Sequence, residues 1–323
     1  MKSGLKRLLL VASVIAAFSG GTIAQEYPTR PVKIIVGYVP GGAPDTIARA
    51  LAQRLSETMG QPFVVENRPG AGGTLATGIV AKSPADGYTL LAGETGQLVI
   101  APYIYKSLPY NTLKDFTPVS MATSEAVLLV ADPKSNIKTL ADLIREAKAN
   151  PGKISYGSSG IGTIHHITAE VFKSGAGIDM QHIPYKGSGQ SVPAILAGDV
   201  PVLMSGFGSV AAHIRSGNLN LLGVTTAKRL PSLPDAPAIG DLIKGYDFPS
   251  ETGILAPAGL PPAVLTKLAA AIKQATESQE FIARFKDTGT VPAYKTPAEY
   301  AEIIKANLKK YEQAVSVAKV LPE

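Results

Sequence analysis

Short runs of β-branched and aliphatic residues alternate along this chain with longer stretches whose apolar residues recur every three or four positions. That alternation predicts strands and amphipathic helices stacked in α/β layers. Val32-Lys33-Ile34-Ile35-Val36 reads as a strand, and behind it Ile47, Leu51, Leu55 and Met59 form one apolar stripe opposite Arg49, Gln53 and Glu57. Pro44 suits the first helical position there, and Asp45 complements the helix dipole. Further strands are predicted at 63–65, 88–92, 119–121, 127–131, 153–157, 181–183, 200–204, 221–225 and 253–256. Between them fall helices at 74–82, from 140 to Asn150, through Phe172, and at 190–197, 210–215, 262–277, 279–286 and 297–318. Thr139-Leu140-Ala141-Asp142 has the form of a capping box. No repeat of solenoid period is visible.

Two strand-to-helix turns are rich in glycine: Pro40-Gly41-Gly42-Ala43-Pro44-Asp45, and Ser158-Ser159-Gly160-Ile161-Gly162-Thr163. Glycines let consecutive N–H groups converge, and a helix start adds about half a positive charge. Such a nest holds an anion without lysine or arginine. Two nests predict two lobes closing on one small anionic molecule, with the domain that is left near 122 and rejoined near 248 forming a hinge. The expected units are residues 25–122 with 248–323, and residues 123–247. The terminal helices are expected on the first unit.

The amino terminus reads as a secretory leader: Lys2, Lys6 and Arg7, then an apolar stretch over 8–18, then Thr22-Ile23-Ala24, with cleavage expected after Ala24. Its apolar stretch of 11 residues is too short for a bilayer, which needs about 20. The chain has no cysteine, which excludes disulfides, thiol catalysis and a lipidated cysteine. A periplasmic location and a monomer are expected. Without the three leader cations, 28 basic residues face 25 acidic ones. Scattered cations and the lack of tryptophan argue against nucleic acid.

Candidate ligand-binding residues lie on the segments that follow strands: Tyr38, Pro40, Gly41, Gly42, Asp45, Glu94, Thr95, Ser158, Ser159, Gly160, Gly162, Thr163, His166, Tyr185, Lys186, Gly187, Ser205 and Gly206. The favoured donors are the amides of Gly41, Gly42, Gly160 and Gly162, the hydroxyls of Ser159 and Thr163, and bridging water. No arginine occurs in 38–45, 93–99, 157–166 or 184–189. The residues leave open whether Asp45 or Lys186 touches the ligand, since a first-turn carboxylate stabilises its own helix and lysines are usually solvated. Ser158, Ser159 and Thr163 are equally good helix caps. His165 and His166 are adjacent, so they share no metal-binding helix face, and packed histidines are expected. No metal or other cofactor is expected.

Rival chemistries find little support. There is no G-x-S-x-G elbow, no G-x-x-x-x-G-K-[ST] loop and no H-E-x-x-H, and the glycines at 157–162 miss the dinucleotide spacing. The competing reading is a secreted hydrolase using a Ser/His pair in the same cleft.

An ordered series of motifs runs along nearly the whole exported part. It comprises Tyr27-Pro28-x-x-Pro31, Pro40-Gly41-Gly42-x-x-Asp45-x-x-Ala48-Arg49 and Asn67-Arg68-Pro69-Gly70-Ala71-Gly72-Gly73. Pro84-x-Asp86-Gly87-Tyr88-Thr89-Leu90, Tyr156-x-Ser158-Ser159-Gly160-x-Gly162 with His166, Pro184-Tyr185-Lys186-Gly187 and Pro257-Ala258-Gly259 follow. In these the chain resembles the Bug family, the extracytoplasmic solute receptors of tripartite tricarboxylate transporters. The resemblance implies a two-lobed type 2 periplasmic binding protein whose ligand carboxylate meets backbone amides and ordered waters, with an inner-membrane permease as partner and no catalysis. The chain departs from the family's pattern at Thr163, where serine is frequent, and at Ser205-Gly206-Phe207, where an aspartate is common. It departs again at Glu251-Thr252, where an aromatic often stands. These departures bear on which carboxylate is bound.

Overall fold

The computed structural model describes residues 26–320 apart from Pro231 and Asp287. The leader expected over 1–24 lies outside the described residues. In chain order the strands are β1 (Val32–Val36), β2 (Phe63–Asn67), β3 (Thr89–Glu94), β4 (Phe116–Glu125), β5 (Val127–Ala131), β6 (Ser155–Ser158), β7 (Gln181–Pro184), β8 (Val202–Gly206), β9 (Asn220–Val224), β10 (Ser250–Pro257) and β11 (Thr290–Lys295). The helices are α1 (Ala43–Met59), α2 (Thr74–Ala81), α3 (Ala101–Ile104), α4 (Leu140–Ala149), α5 (Ile164–Ala176), α6 (Ser188–Ala197), α7 (Phe207–Arg215), α8 (Pro262–Thr276), α9 (Gln279–Phe285) and α10 (Pro297–Ala318).

Two sheets result. The first has the order β11-β4-β10-β3-β1-β2 and the second the order β7-β6-β8-β5-β9. β1 runs parallel to β2 and β3, and β6 runs parallel to β7 and β8. Val32, Ile34, Ile35 and Val36 of β1 are all buried, as expected of a central parallel strand covered on both faces. On one side α1 turns in Ile47, Ala48, Leu51 and Leu55, and it stops at Gly60, whose left-handed φ of 72° lets its N–H reach the Ser56 carbonyl. The chain leaves the first sheet at Ala126, between β4 and β5, and returns between β9 and β10.

The last helix packs on the first unit and also reaches beyond it. α8 and α9 pack on the first sheet, sharing its core with Ile34 and Leu90. α10 straddles both. Its Tyr300 ring fills the space over Gly253 of β10, where a Cβ would lie only 2.5 Å away. Further along, the Tyr311 ring meets Phe248 edge-on at 5.6 Å, and Lys310 donates to the Asp247 carbonyl at 2.9 Å. Tyr300, Ile304, Tyr311 and Val315 therefore join one continuous core with Ile167 and Phe172 of α5. β11 was not legible in the sequence because Pro292 interrupts it. The strand lies on the sheet edge with a break in register after Pro292, where a missing N–H is tolerated.

The two crossings are tied to each other by Thr225, which is fully buried. Its hydroxyl accepts from the Val127 amide at 3.1 Å and donates to the Phe248 carbonyl at 3.0 Å. Its own amide donates to the Val127 carbonyl at 3.0 Å, and its carbonyl accepts from the Phe248 amide at 2.8 Å. Thr225→Val keeps the shape and strands the Val127 N–H and Phe248 C=O, so urea denaturation should show a loss of about 1–3 kcal/mol. Thr225→Ser retains the hydroxyl and should recover most of it; equal losses in both variants would show that packing, and not the hydroxyl, holds the crossing.

Candidate functional site

The turn after β1 is braced from within. Asp45 is buried, and its carboxylate accepts from the Gly41 amide at 2.9 Å, Arg49 Nε at 3.0 Å and Asn67 Nδ2 at 2.8 Å. Asn67 Nδ2 also donates to the Tyr38 carbonyl at 3.0 Å. Burial alone would raise the Asp45 pKa, but the hydrogen bonds from Arg49, Gly41 and Asn67 outweigh it and hold the group below its usual range. Asp45 thus fixes the turn, and the Gly41 amide expected to meet a ligand is occupied by it. Pro40 and Gly41 are exposed at the tip.

The turn after β6 closes on itself in the same way. The Gly160 amide donates to Ser158 Oγ at 3.1 Å, and the Gly162 amide to His166 Nδ1 at 3.1 Å. Thr163 caps α5: its Oγ1 donates to the Gly160 carbonyl at 2.8 Å and accepts from the His166 amide. Ser159 Oγ bonds His165 Nδ1 at 2.6 Å, and Ser158 Oγ bonds His182 Nε2 at 2.7 Å. Five of the six donors expected from the sequence, the Gly41, Gly160 and Gly162 amides and the Ser159 and Thr163 hydroxyls, therefore have internal partners. Counting amides does not show that side chains at most six residues away reach back to them.

Three histidines back this turn. The rings of His166 and His182 stack at 4.0 Å with 8° between planes, and Tyr156 stacks on His182 at 4.9 Å. Burial pulls His165, His166 and His182 each down to about 4, so all three are neutral near pH 7. The loop after β7 is laced to the same turn, with the Tyr185 and Gly187 amides donating to the Ser158 and Ser159 carbonyls, both at 3.1 Å. Lys186 is exposed there.

Helix starts differ in how their free amides are met. α4 and α10 carry complete capping boxes, Thr139 with Asp142 and Thr296 with Glu299, and Ser278 caps α9. α8 opens on Pro261 and Pro262, which have no N–H to satisfy. In contrast α1, α2, α6 and α7 open on Gly42, Gly73, Gly187 and Gly206 with no side-chain cap. Each of these four follows a strand of one sheet or the other, the place where open α/β sheets bind ligands. Uncapped first-turn amides are anion donors.

Where the sheets meet, the walls touch. A Cβ on Gly162 would lie 2.5 Å from Ile104 Cδ1, and one on Gly289 would lie 2.2 Å from the Phe207 ring. Glu94 is buried and accepts from Tyr38 Oη at 2.8 Å, Ser250 Oγ at 2.6 Å and the Gly96 amide at 2.9 Å. Thr95 Oγ1 accepts from the Glu251 amide at 2.8 Å, a brace to β10. Glu125, at the end of β4, crosses to the Phe207 and Gly208 amides at the start of α7. Burial, with repulsion from Glu94, pushes Glu125 up to about 7. A Cβ on Gly206 would lie 3.5 Å from Glu125 Oε1 and 3.7 Å from His165 Nε2. Ser205 Oγ is buried with no partner among the described residues. Neither Glu125 nor His182 stands out from its sequence neighbours, because their roles exist only once the sheets pack. Among the described residues no group of three or more His, Asp or Glu is arranged for a metal.

The sequence matches the model of the tripartite tricarboxylate transporter family receptor over residues 47–319. Protein BugT of Bordetella pertussis is 35% identical over 316 residues, 96% of this chain and 96% of that protein. A structure of an R. palustris protein with adipate is 32% identical, with a TM-score of 0.84 over 92% of this chain and 100% of the other. The periplasmic binding protein BugD is 29% identical, with a TM-score of 0.80 over 92% and 100%. The architecture is the two-lobed fold of periplasmic binding proteins, with the cleft between lobes. The chain belongs to the tripartite tricarboxylate transporter receptor family.

Proposed function

We propose that this protein is exported to the periplasm, is cleaved after Ala24, and captures a small organic carboxylate as a monomer. The proposed lobes are residues 25–122 with 248–323, and residues 123–247. Delivery to an inner-membrane permease of the tripartite tricarboxylate type is part of the proposal, and membership of the receptor family supports it. The observation that carries the reading is the set of glycine-started helices with uncapped first turns, α1 and α2 from one sheet and α6 from the other, beside the α7 start that Glu125 already meets. A relative of the same fold was solved with adipate, which supports a carboxylate as cargo. Among the described residues no helix is long and apolar enough to cross a membrane.

Catalysis is not part of the proposal. Ser159 and His165 do form a Ser/His pair, but burial holds His165 down to about 4, and so weak a base takes little of a serine proton near pH 7.

A thermal-shift screen of mono-, di- and tricarboxylates, amino acids and aromatic acids is the direct test. A ligand at a hundredfold excess over its Kd should add about 2.7 kcal/mol of stability. No shift with any carboxylate would sink the proposal.

Gly42→Asp separates binding from folding. Gly42 has the extended backbone of an N-cap (φ −71°, ψ 167°), and its Cβ would meet only ordinary contacts at 3.7 Å and beyond. The new carboxylate should cap α1 and raise stability by up to about 1 kcal/mol. By filling and repelling from the anion site it should lower carboxylate affinity at least about tenfold, read by calorimetry. Unchanged affinity would remove α1 from the site.

The histidines set a pH dependence. Folded values near 4 lie below the ordinary 6.5, so between these limits the folded state binds fewer protons than the unfolded chain. The stability they contribute is complete above about pH 6.5 and is lost progressively as pH falls to about 4. His182→Gln removes one of the three and should flatten the melting-temperature profile across that window. A profile with the same slope in both proteins would assign the loss to carboxylates instead.

A further inference from the structure

We infer that Glu125 is a proton-linked latch between the two sheets: its carboxylate leaves the first sheet, meets the start of α7 beside the second, and takes up a proton as that contact closes. The inference rests on the two-lobed capture reading and concerns how the lobes close, whatever carboxylate they take. Glu125 ends β4, and Val127, two residues on, pairs with Gly206, so the crossing brings the α7 start opposite it. The carboxylate accepts from the Phe207 and Gly208 amides. α7 has no side-chain cap from its own segment, and Ser205-Gly206-Phe207 contains no acid that could supply one. The cap comes from the other sheet instead.

The surroundings offer this carboxylate hydrogen bonds but no compensating charge. Ser250 of β10 and Thr290 of β11 flank Glu125 in register, and both are neutral. Glu94, at the end of β3, repels it. From α5 comes His165, whose Nε2 and Glu125 Oε1 lie 3.7 Å and 3.5 Å from one point, the position of a Cβ on Gly206. Burial holds that ring down to about 4, so it brings no positive charge near pH 7. Glu125 forms no ion pair among the described residues. The buried cation Lys310 answers Asp247 and Glu251.

A half-buried carboxylate beside another, with no cation, holds its charge only at a cost. Two amide bonds offset part of that cost but not all of it: burial and Glu94 push Glu125 up to about 7. With α7 drawn away the group regains water and returns toward its ordinary 4.5. Between those values the closed arrangement binds more protons than the open one, so it is favoured as pH falls through about 7 and opposed above. The same sign holds against the unfolded chain. The stability that Glu125 contributes is complete below about pH 4.5 and is lost as pH rises through about 7. The three buried histidines titrate lower and in the opposite sense, so their window and this one are separable.

Small-angle scattering on the mature protein, refolded from denaturant to strip any cargo, tests the latch with no ligand present. The radius of gyration should be smaller at about pH 6 than at about pH 8. Glu125→Gln, which is neutral and keeps an acceptor for α7, should hold the smaller radius at both. Its melting temperature should exceed the parent's at about pH 8 and match it below about pH 4.5, the reverse of what loss of an ordinary capping carboxylate does. Carboxyl NMR on the parent should place the Glu125 titration well above its ordinary range. A radius independent of pH, or one that shifts equally in Glu125→Gln, would overturn the latch, and so would a Glu125 titration near the ordinary 4.5. None of these outcomes bears on carboxylate capture, which the thermal-shift screen decides separately.

Discussion

Thr225 is the residue on which the arrangement of the whole molecule turns. Two separate chain crossings join the sheets, and without a tie each would be an independent linker. The buried hydroxyl and backbone of Thr225 bond Val127 at one crossing and Phe248 at the other. The crossings are therefore held as one unit at this point and not as two independent linkers. The helix starts after β1 and β2, and those after β7 and β8, fall at one end of each sheet, because those strands run parallel within it.

The same tie explains why α10 spans both units. A hinge fixed only by Thr225 would leave apolar surface of β10 and α5 exposed beside it. Tyr300 and Tyr311 cover those surfaces from a single helix, and Lys310 ties the helix to the returning strand through Asp247. Continuous apolar packing across a hinge favours the closed arrangement, since opening would return part of that area to water. The contacts Ile104–Gly162 and Phe207–Gly289 belong to the same closed arrangement, and both depend on a glycine that leaves room for the opposing side chain.

Much of the architecture was legible because it is local. Alternating apolar runs located ten of the eleven strands, and the glycine turns at 40–45 and 158–163 lie where the sequence placed them. The Thr139 capping box was read correctly from four residues. What the sequence hid was tertiary. Glu125 is one polar residue at the end of a strand until α7 arrives opposite it. His182 is an ordinary strand residue until it stacks on His166. Inside the turns the hidden feature is local: the amides of Gly41 and Gly162 look free in the sequence, yet Asp45 and His166, each four residues on, are placed by the helix to take them. The unprotected donors lie one step away, at helices whose caps are glycine.

That division of labour has a physical logic. A turn that left all its amides to the ligand would be unsatisfied whenever the cleft is open, and would rearrange to find partners. Here Asp45, Ser158, Thr163 and His166 hold the turns in shape with no guest present, so the shape does not have to be formed during binding. The uncapped first turns of α1, α2 and α6 can be hydrated in the open state at little cost, because glycine puts no side chain in the way of water or ligand. Anion recognition then comes from dipoles that are rigid and neutral. Glu94 and Glu125, beside them, are held by their own internal donors.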